Sequence, residues 1–438
     1  MDYTVTPPSK IDQSISLPGD KSISIRALIL NTMANGSAHI SNLCEGDDRI
    51  SILRCLVGLG SQIDICNPCP EQHRGDCFNV VGKGSSGLVK PTSELDAGNS
   101  GTTMRLLTGL LATQPFTSVI SGDESLRSRP MGRIIQPLSL MGATISGKKN
   151  NTLAPLVVQG KSLTGIDYLM PQASAQVKSS ILIAGLNATG KTTVHQPAKS
   201  RDHTERMMRF MGANIKEEGL SISVTKSELV SKDVIIPGDA SGAAFWIVAG
   251  CCHPNARILL KEVGINPSRI HIIDVLKSMG ASIEINNVRE DGPEPIADIL
   301  VKSSELVGTT IEGNSIPYII DEIPVLAIAA TMAKGTTVFS DAAELRLKES
   351  DRIRATADGI NSLGGHVEEH KNGLTIHGTK TLTGSYVNSY GDHRIAMAMG
   401  IAGLIGKGKT VVSGAEAAAI SYPDFWKILD SLCLIDKV

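Results

Sequence analysis

Six short segments gather cations, carboxylates and hydroxyl side chains next to apolar stretches. Lys21, Ser22 and Arg26 put an ammonium, a hydroxyl and a guanidinium near a helix start. Asn99-Ser100-Gly101-Thr102-Thr103-Met104-Arg105 reads as a glycine-bearing loop entering a helix over 104–111, a geometry that offers backbone N–H groups to an anion. Arg127 and Arg129 supply guanidinium groups ahead of another helix. Asp321-Glu322 precedes an apolar helix over 323–332, and Asp392-His393-Arg394 opens a further one. Lys348 and Arg352 are four apart in RLKESDR, on one face if that stretch is helical. Any one of these segments alone reads as a capped helix with a solvated charge. Together they suit substrates rich in phosphate and carboxylate: Arg binds anions in bidentate fashion, and Lys is a mobile charge that can also move a proton. Asp321 and Glu349 are the candidate acid–base carboxylates among these cations.

The elements that must position them repeat. An apolar helix ending in a small turn and followed by a strand is expected at 28–40, 107–120, 181–194, 246–259, 326–338 and 398–411, a period of about 70 residues. A helix ending in Met-Gly or Leu-Gly before a strand follows most of them, at Gly60, Gly142, Gly212, Gly280 and Gly364. Glycine suits the left-handed residue that ends a helix. Each unit therefore holds two helices alternating with strands, and three units per half give an α/β protein of two similar domains. Pro18-Gly19-Asp20 and Pro237-Gly238-Asp239 start half of the 438 residues apart, and only the first continues with a cation, Lys21, where the second has Ala240. They are the expected crossing points, giving a first domain over 21–238 and a second over 1–20 plus 239–438, with a cleft between them and hinges near 18–21 and 237–240.

Three motifs are set aside. GLNATGKT at 185–192 fits the phosphate-loop pattern, but that loop must follow a strand and open a helix, and here the order is reversed. Gly82, Gly84 and Gly87 match a dinucleotide fingerprint without a helix behind them to hold the pyrophosphate. Cys66, Cys69, His73 and Cys77 have ligand chemistry, yet the spacing fits a polar loop between two strands, so no metal is expected.

Composition excludes several classes. A formal net charge of -2 gives no field for nucleic acid or an anionic membrane, and 3% aromatic residues leave little for base stacking. No apolar run is long enough to span a bilayer, and the first residues do not read as a secretory signal. Eight cysteines in a chain this long do not form a disulfide framework, so a reducing cytoplasm is expected.

LPGDKSISIRALIL (17–30), DAGNSGTTMRLL (96–107), LKESDRIRA (347–355) and YGDHRIAMA (390–398) stand in order over nearly the whole chain. At these residues the sequence resembles the EPSP synthase family of enolpyruvyl transferases. The resemblance implies two domains, each of three βαβαββ units, closing over a cleft. It also implies transfer of the enolpyruvyl group of phosphoenolpyruvate to the 5-hydroxyl of shikimate 3-phosphate, with no cofactor and with a monomer as the family's default. By the same resemblance Lys21, Ser22 and Arg26 grip shikimate 3-phosphate, with Ser174, Ala175, Gln176, Arg201 and Lys348 as further contacts. Lys21, Asn99, Gly101, Arg129, Gln176, Arg352 and Arg394 take phosphoenolpyruvate. Asp321 is the base at the 5-hydroxyl, and Glu349, with Lys21, carries protons at the transferred methylene.

The chain departs from the family pattern at 420–424, where many members place a lysine two residues before the aromatic-Pro pair, and at Leu106, where many have proline. Both features resemble a branch containing glyphosate-tolerant enzymes. Gly101, however, stands where a tolerant member has alanine, so glyphosate is expected to enter the pocket. The sibling transferase acting on UDP-N-acetylglucosamine typically has Lys-Asn at the place of Lys21-Ser22 and a loop cysteine this chain does not match. A phosphate-loop kinase using Lys191 and a non-catalytic repeat scaffold are the rivals from other classes.

Overall fold

The computed structural model describes residues 1–66, 76–290 and 292–433. The chain divides into two compact units. The first comprises Gly19–Ile236 and Glu290–Glu294; the second comprises Met1–Pro18, Pro237–Arg289 and Pro295–Val438.

In the first unit the helices Lys21–Met33, Gly101–Leu111 and Ala175–Gly185 are buried over nearly their whole length. Helices buried on all sides belong in a core, and the apolar residues of these three lie in one hydrophobic cluster. Three four-stranded sheets belong to the same unit. Each joins a parallel pair to an antiparallel hairpin, as where Leu95–Asp96 runs parallel to Thr117–Ser121, which pairs with Leu153–Gln159 and then Thr144–Gly147. The other two sheets repeat this order around Ser37–Ser41 and Lys191–His195. A second set of helices, Asp47–Gly58, Gly132–Leu140 and His203–Phe210, buries only one side.

The second unit has its own core and repeats the scheme. Its buried helices are Ala240–Cys252, Ile323–Met332 and His393–Ile405. Two of its sheets have four strands, built around Ala256–Gly264 and Thr336–Phe339. The third has Tyr386–Asn388 parallel to Thr410–Ser413, and the antiparallel partner is the chain's own start, Asp2–Val5. Among the described residues no single helix is long and apolar enough to cross a membrane; Ile323–Met332 passes such a test only jointly with the bent Gly313–Ile319, and it is a buried core helix.

The glycines of the repeat sit where a left-handed residue is required. Gly60, Gly142, Gly212, Gly280 and Gly364 have φ between 79° and 106°, each just past a helix end. Gly19 has a different reason. A Cβ there would lie 1.8 Å from the carbonyl oxygen of Asn42, so nothing larger fits. Gly238, its twin, is merely tight, with Leu17 and the Glu262 carbonyl beyond 3 Å.

The structure corrects some local readings and bears out others. The helices Lys21–Met33 and Gly101–Leu111 begin earlier than the apolar runs, because Asp20 and Ser100 cap them through side-chain oxygens. Arg127 lies inside the short helix Glu124–Ser128, and Arg129 is its C-cap. Lys348 and Arg352 do not share a helical face. A 3-10 turn ends at Leu347, Lys348 is extended, and Arg352 starts the helix Arg352–Ser362 behind the capping carboxylate of Asp351. Around 185–192 the helix Ala175–Gly185 precedes and the strand Lys191–His195 follows, an order without a phosphate loop. No helix follows Gly82, Gly84 and Gly87 before Gly101. Cys69 and His73 lie outside the described residues; Cys77 is disulfide-bonded and offers no thiolate to a metal.

Candidate active site

In the first unit the three core helices present capped N-termini, with Asp20, Ser100 and Ser174 each accepting a first-turn N–H. Lys21 follows the Asp20 cap and its Nζ lies 3.1 Å from Asp48 Oδ2. Arg26 is one turn further in and buried. Its guanidinium donates to the Ser22 carbonyl at 2.8 Å, Thr204 Oγ1 at 2.7 Å and Ser179 Oγ at 3.1 Å. Burial pushes its pKa down to about 10, Glu205 and Asp20 oppose that, and the Arg201 charge adds to it. Arg26 thus stays protonated at neutral pH, and the part-buried Arg201 acts on it electrostatically from just ahead of the helix His203–Phe210.

Asn99 is held in both directions. Its amide donates to Asp123 at 2.7 Å, and its oxygen accepts from Arg129 Nη2 at 2.7 Å. Gln176 follows the Ser174 cap and Ala175; its amide donates to Thr102 at 2.9 Å and its oxygen accepts from Arg105. The helices Gly101–Leu111 and Ala175–Gly185 pack together and so fix this pair. Gly101 keeps the space in front of the arginines open: a Cβ there would lie 2.8 Å from Arg105 Nη1 and 3.7 Å from Arg129 Nη1. Burial, with the like charges of Arg133 and Arg129, pushes Arg105 down to about 9. Guanidinium groups that depress one another in this way are relieved by an anion.

In the second unit one buried arginine organises the predicted carboxylates. Arg352 donates through Nε to Asp392 at 2.8 Å, through Nη2 to Glu349 at 2.5 Å and through Nη1 to Asp321 at 3.4 Å. Burial alone would lower its pKa, but Asp392, Glu349 and Asp321 more than offset that and hold it above the usual range. Lys348 Nζ reaches the same Asp321 oxygen at 3.3 Å. Asp392 is fully buried, accepts from Ser350 and caps the helix His393–Ile405 through the N–H of Arg394. The Arg394 guanidinium lies 3.8 Å from Glu322, which also accepts from Ser241 at 2.7 Å. Asp321 and Glu349 keep 22% and 30% exposure, so they remain reachable while their arginine is not.

The structure therefore brings together Asn99, Gly101, Arg129 and Gln176 in the first unit, and Asp321, Lys348, Glu349 and Arg352 in the second. Lys21 turns to Asp48, a partner the sequence reading did not name. That reading also gave no role to Arg105 or Asp392, although both stand inside the segments it singled out. It missed the buried pair Lys178–Glu205, whose carboxyl is raised by burial against the pull of Lys178. The available signal was a lone charge in an otherwise apolar helix. Tyr422, in the segment that departs from the family pattern, is buried and accepts from Trp246 Nε1 at 3.1 Å.

Residues 5–429 match the family model described as EPSP synthase (3-phosphoshikimate 1-carboxyvinyltransferase). A 3-phosphoshikimate 1-carboxyvinyltransferase of Desulforudis audaxviator is 48% identical, over 99% of this chain and 100% of that protein. One from Gloeothece citriformis is 49% identical, over 99% and 96%. Among solved structures, EPSP synthase from Acinetobacter baumannii superposes with a TM-score of 0.89 at 40% identity, covering 98% of both chains. The enolpyruvyl transferase NikO from Streptomyces tendae gives a TM-score of 0.79 at 17% identity over 98% and 96%, a likeness of fold alone. The six repeated units are those of the enolpyruvyl transferase fold, and the chain belongs to the EPSP synthase (3-phosphoshikimate 1-carboxyvinyltransferase) family.

Proposed function

We propose that this enzyme transfers the enolpyruvyl group of phosphoenolpyruvate to the 5-hydroxyl of shikimate 3-phosphate, releasing phosphate on the way to chorismate and the aromatic amino acids. Family membership over nearly the whole chain supports the reaction. The observation that carries the assignment of residues is the network around Arg352, where a buried cation gathers two part-exposed carboxylates of the kind an acid–base step needs.

On this reading Lys21, Ser22, Arg26, Ser174, Ala175, Gln176 and Arg201 serve shikimate 3-phosphate, with Lys348 and Asp321 from the second unit. Lys21, Asn99, Gly101, Arg129 and Gln176 serve phosphoenolpyruvate with Arg352 and Arg394, and Arg105 joins them because it is bonded to Gln176 and charge-coupled to Arg129. Protonation of the phosphoenolpyruvate methylene, from Glu349 or Lys21, gives C2 cationic character. The 5-hydroxyl attacks C2 as Asp321 takes its proton. The tetrahedral ketal then loses phosphate by cleavage of the C2–O bond to phosphate and a proton from the new methyl group, which restores the C2–C3 double bond and leaves the enol ether product. The arginines stabilise charge on the departing phosphate and on the carboxylate. Steady-state phosphate release separates this from the sibling reaction. Release from phosphoenolpyruvate is expected with shikimate 3-phosphate and not with UDP-N-acetylglucosamine; the reverse pattern would overturn the assignment.

A further inference from the structure

The sheet around Thr336–Phe339 carries a histidine cluster that enolpyruvyl transfer does not use. Strand His366–His370 pairs with Gly373–His377 so that His366 stands directly opposite His377 and Glu368 opposite Thr375. Residues 366, 368 and 370 therefore point to one side, and 367 to the other. Val367, Leu374 and Ile376 are buried in the core, so the histidine side faces solvent. The helix Arg352–Ser362 packs on the same strands.

On the solvent side the imidazoles of His366 and His377 lie with ring centres 4.5 Å apart. His377 Nε2 is 2.8 Å from Glu368 Oε1. One ligand atom from each of His366, Glu368 and His377 falls within 4.8 Å of the other two. His377 Nδ1 lies 3.3 Å from the hydroxyl of Thr336 on the next strand. That contact resembles the outer partner of metal-bound imidazoles, which fixes the tautomer and turns the other nitrogen to the ion. His370 stands two residues beyond Glu368 on the same side, its Nε2 at 2.8 Å from Thr375 Oγ1.

We propose that His366, Glu368 and His377 form a surface site for a divalent transition-metal ion. Two imidazoles and one carboxylate suit Zn2+, Ni2+, Co2+ or Cu2+, and disfavour Mg2+ and Ca2+, which take oxygen ligands. The ion takes the position between His377 Nε2 and Glu368 Oε1, and their direct contact at 2.8 Å gives way to two bonds to the metal. Water fills the remaining coordination positions. The imidazoles come from adjacent strands, so a bound ion cross-links the hairpin.

The bland alternative is an ordinary exposed His–Glu pair. His377 does hold the Glu368 carboxyl below its usual range through their hydrogen bond, which either arrangement would produce. Calorimetric titration of the full chain with Ni2+, alongside the double variant His366→Ala/His377→Ala and the single variant Glu368→Gln, separates them. The expected result is one more Ni2+ per chain in the wild type than in the double variant, with Glu368→Gln weakening that site about tenfold or more. A d–d absorption band on adding Co2+, present in the wild type and absent from the double variant, is the second expected readout. Equal Ni2+ stoichiometry in wild type and double variant overturns the site, since any metal elsewhere would remain in both. No binding by the wild type at millimolar Ni2+ overturns it equally. Phosphate release by the double variant should match the wild type, which keeps this test apart from that of the transferase reaction.

Discussion

Arg352 shows what a single buried cation does in this chain. It is 2% exposed, and Asp392 beneath it is not exposed at all. Truncating Arg352 to methionine would leave the Asp392 carboxylate buried without its main partner. Removing one partner of a buried pair costs about 3–5 kcal/mol, so Arg352→Met should lower unfolding free energy by roughly that amount in a denaturant titration. An unchanged midpoint would mean that Asp392 is neutral or otherwise paired. The carboxylates above behave differently, because they are part-exposed and keep water as an alternative partner. Asp321→Asn and Glu349→Gln should therefore fold normally and bind shikimate 3-phosphate, while turnover falls about 10²–10⁴-fold, the usual worth of a positioned acid or base. Near-normal turnover in either variant removes it from the acid–base assignment. The residue types at 321, 348, 349 and 352 were legible in the sequence, but their partners were not. A carboxylate forty positions away, Asp392, meets Arg352 only because separate helices start side by side, and spacing along the chain carries no trace of that.

Helix starts are the element that serves both units. Buried helices leave N–H groups that need acceptors, and Asp20, Ser100, Ser174, Asp239 and Asp392 supply them from their side chains. The remaining first-turn donors and the local dipole favour anions at the same place. Gly101 opens one of these helices, and alanine there would press on Arg105 and the approach to Arg129. Gly101→Ala should raise KM for phosphoenolpyruvate and weaken inhibition by glyphosate, whereas the native chain should be inhibited competitively with phosphoenolpyruvate. Absence of competition at millimolar glyphosate would remove Gly101 and its arginines from that pocket. The elements were legible wherever a glycine or an apolar run marked them, as at Gly60, Gly142, Gly212, Gly280 and Gly364. They were misread where a cap overrode the apolar pattern, at 101–103, and where a 3-10 turn replaced a regular helix before Arg352.

At the scale of the whole molecule the duplication leaves a consequence for the chain's first residues. Each repeated unit needs its full set of strands, and two of the sheets draw one from residues 2–17. Here Ile11–Ser16 forms the outer strand of the sheet around Ala256–Gly264, and Asp2–Val5 completes the one around Thr410–Ser413. Val5, Ile11, Ile15 and Leu17 are at most 5% exposed, so the start of the chain lies in the same core as residues more than two hundred positions later. Burying each such side chain contributes about 1.5–3 kcal/mol, an amount comparable with the net stability of a domain when summed over the four. Ile11→Ala alone should cost about 2–5 kcal/mol. Both tryptophans, Trp246 and Trp426, belong to this core, so their fluorescence follows this unit specifically. Deleting residues 2–17 should therefore shift tryptophan emission to the red, as water reaches Trp246 and Trp426, and phosphate release should fall with it. Emission and activity both unchanged by the deletion would show that the two strands are dispensable to that core.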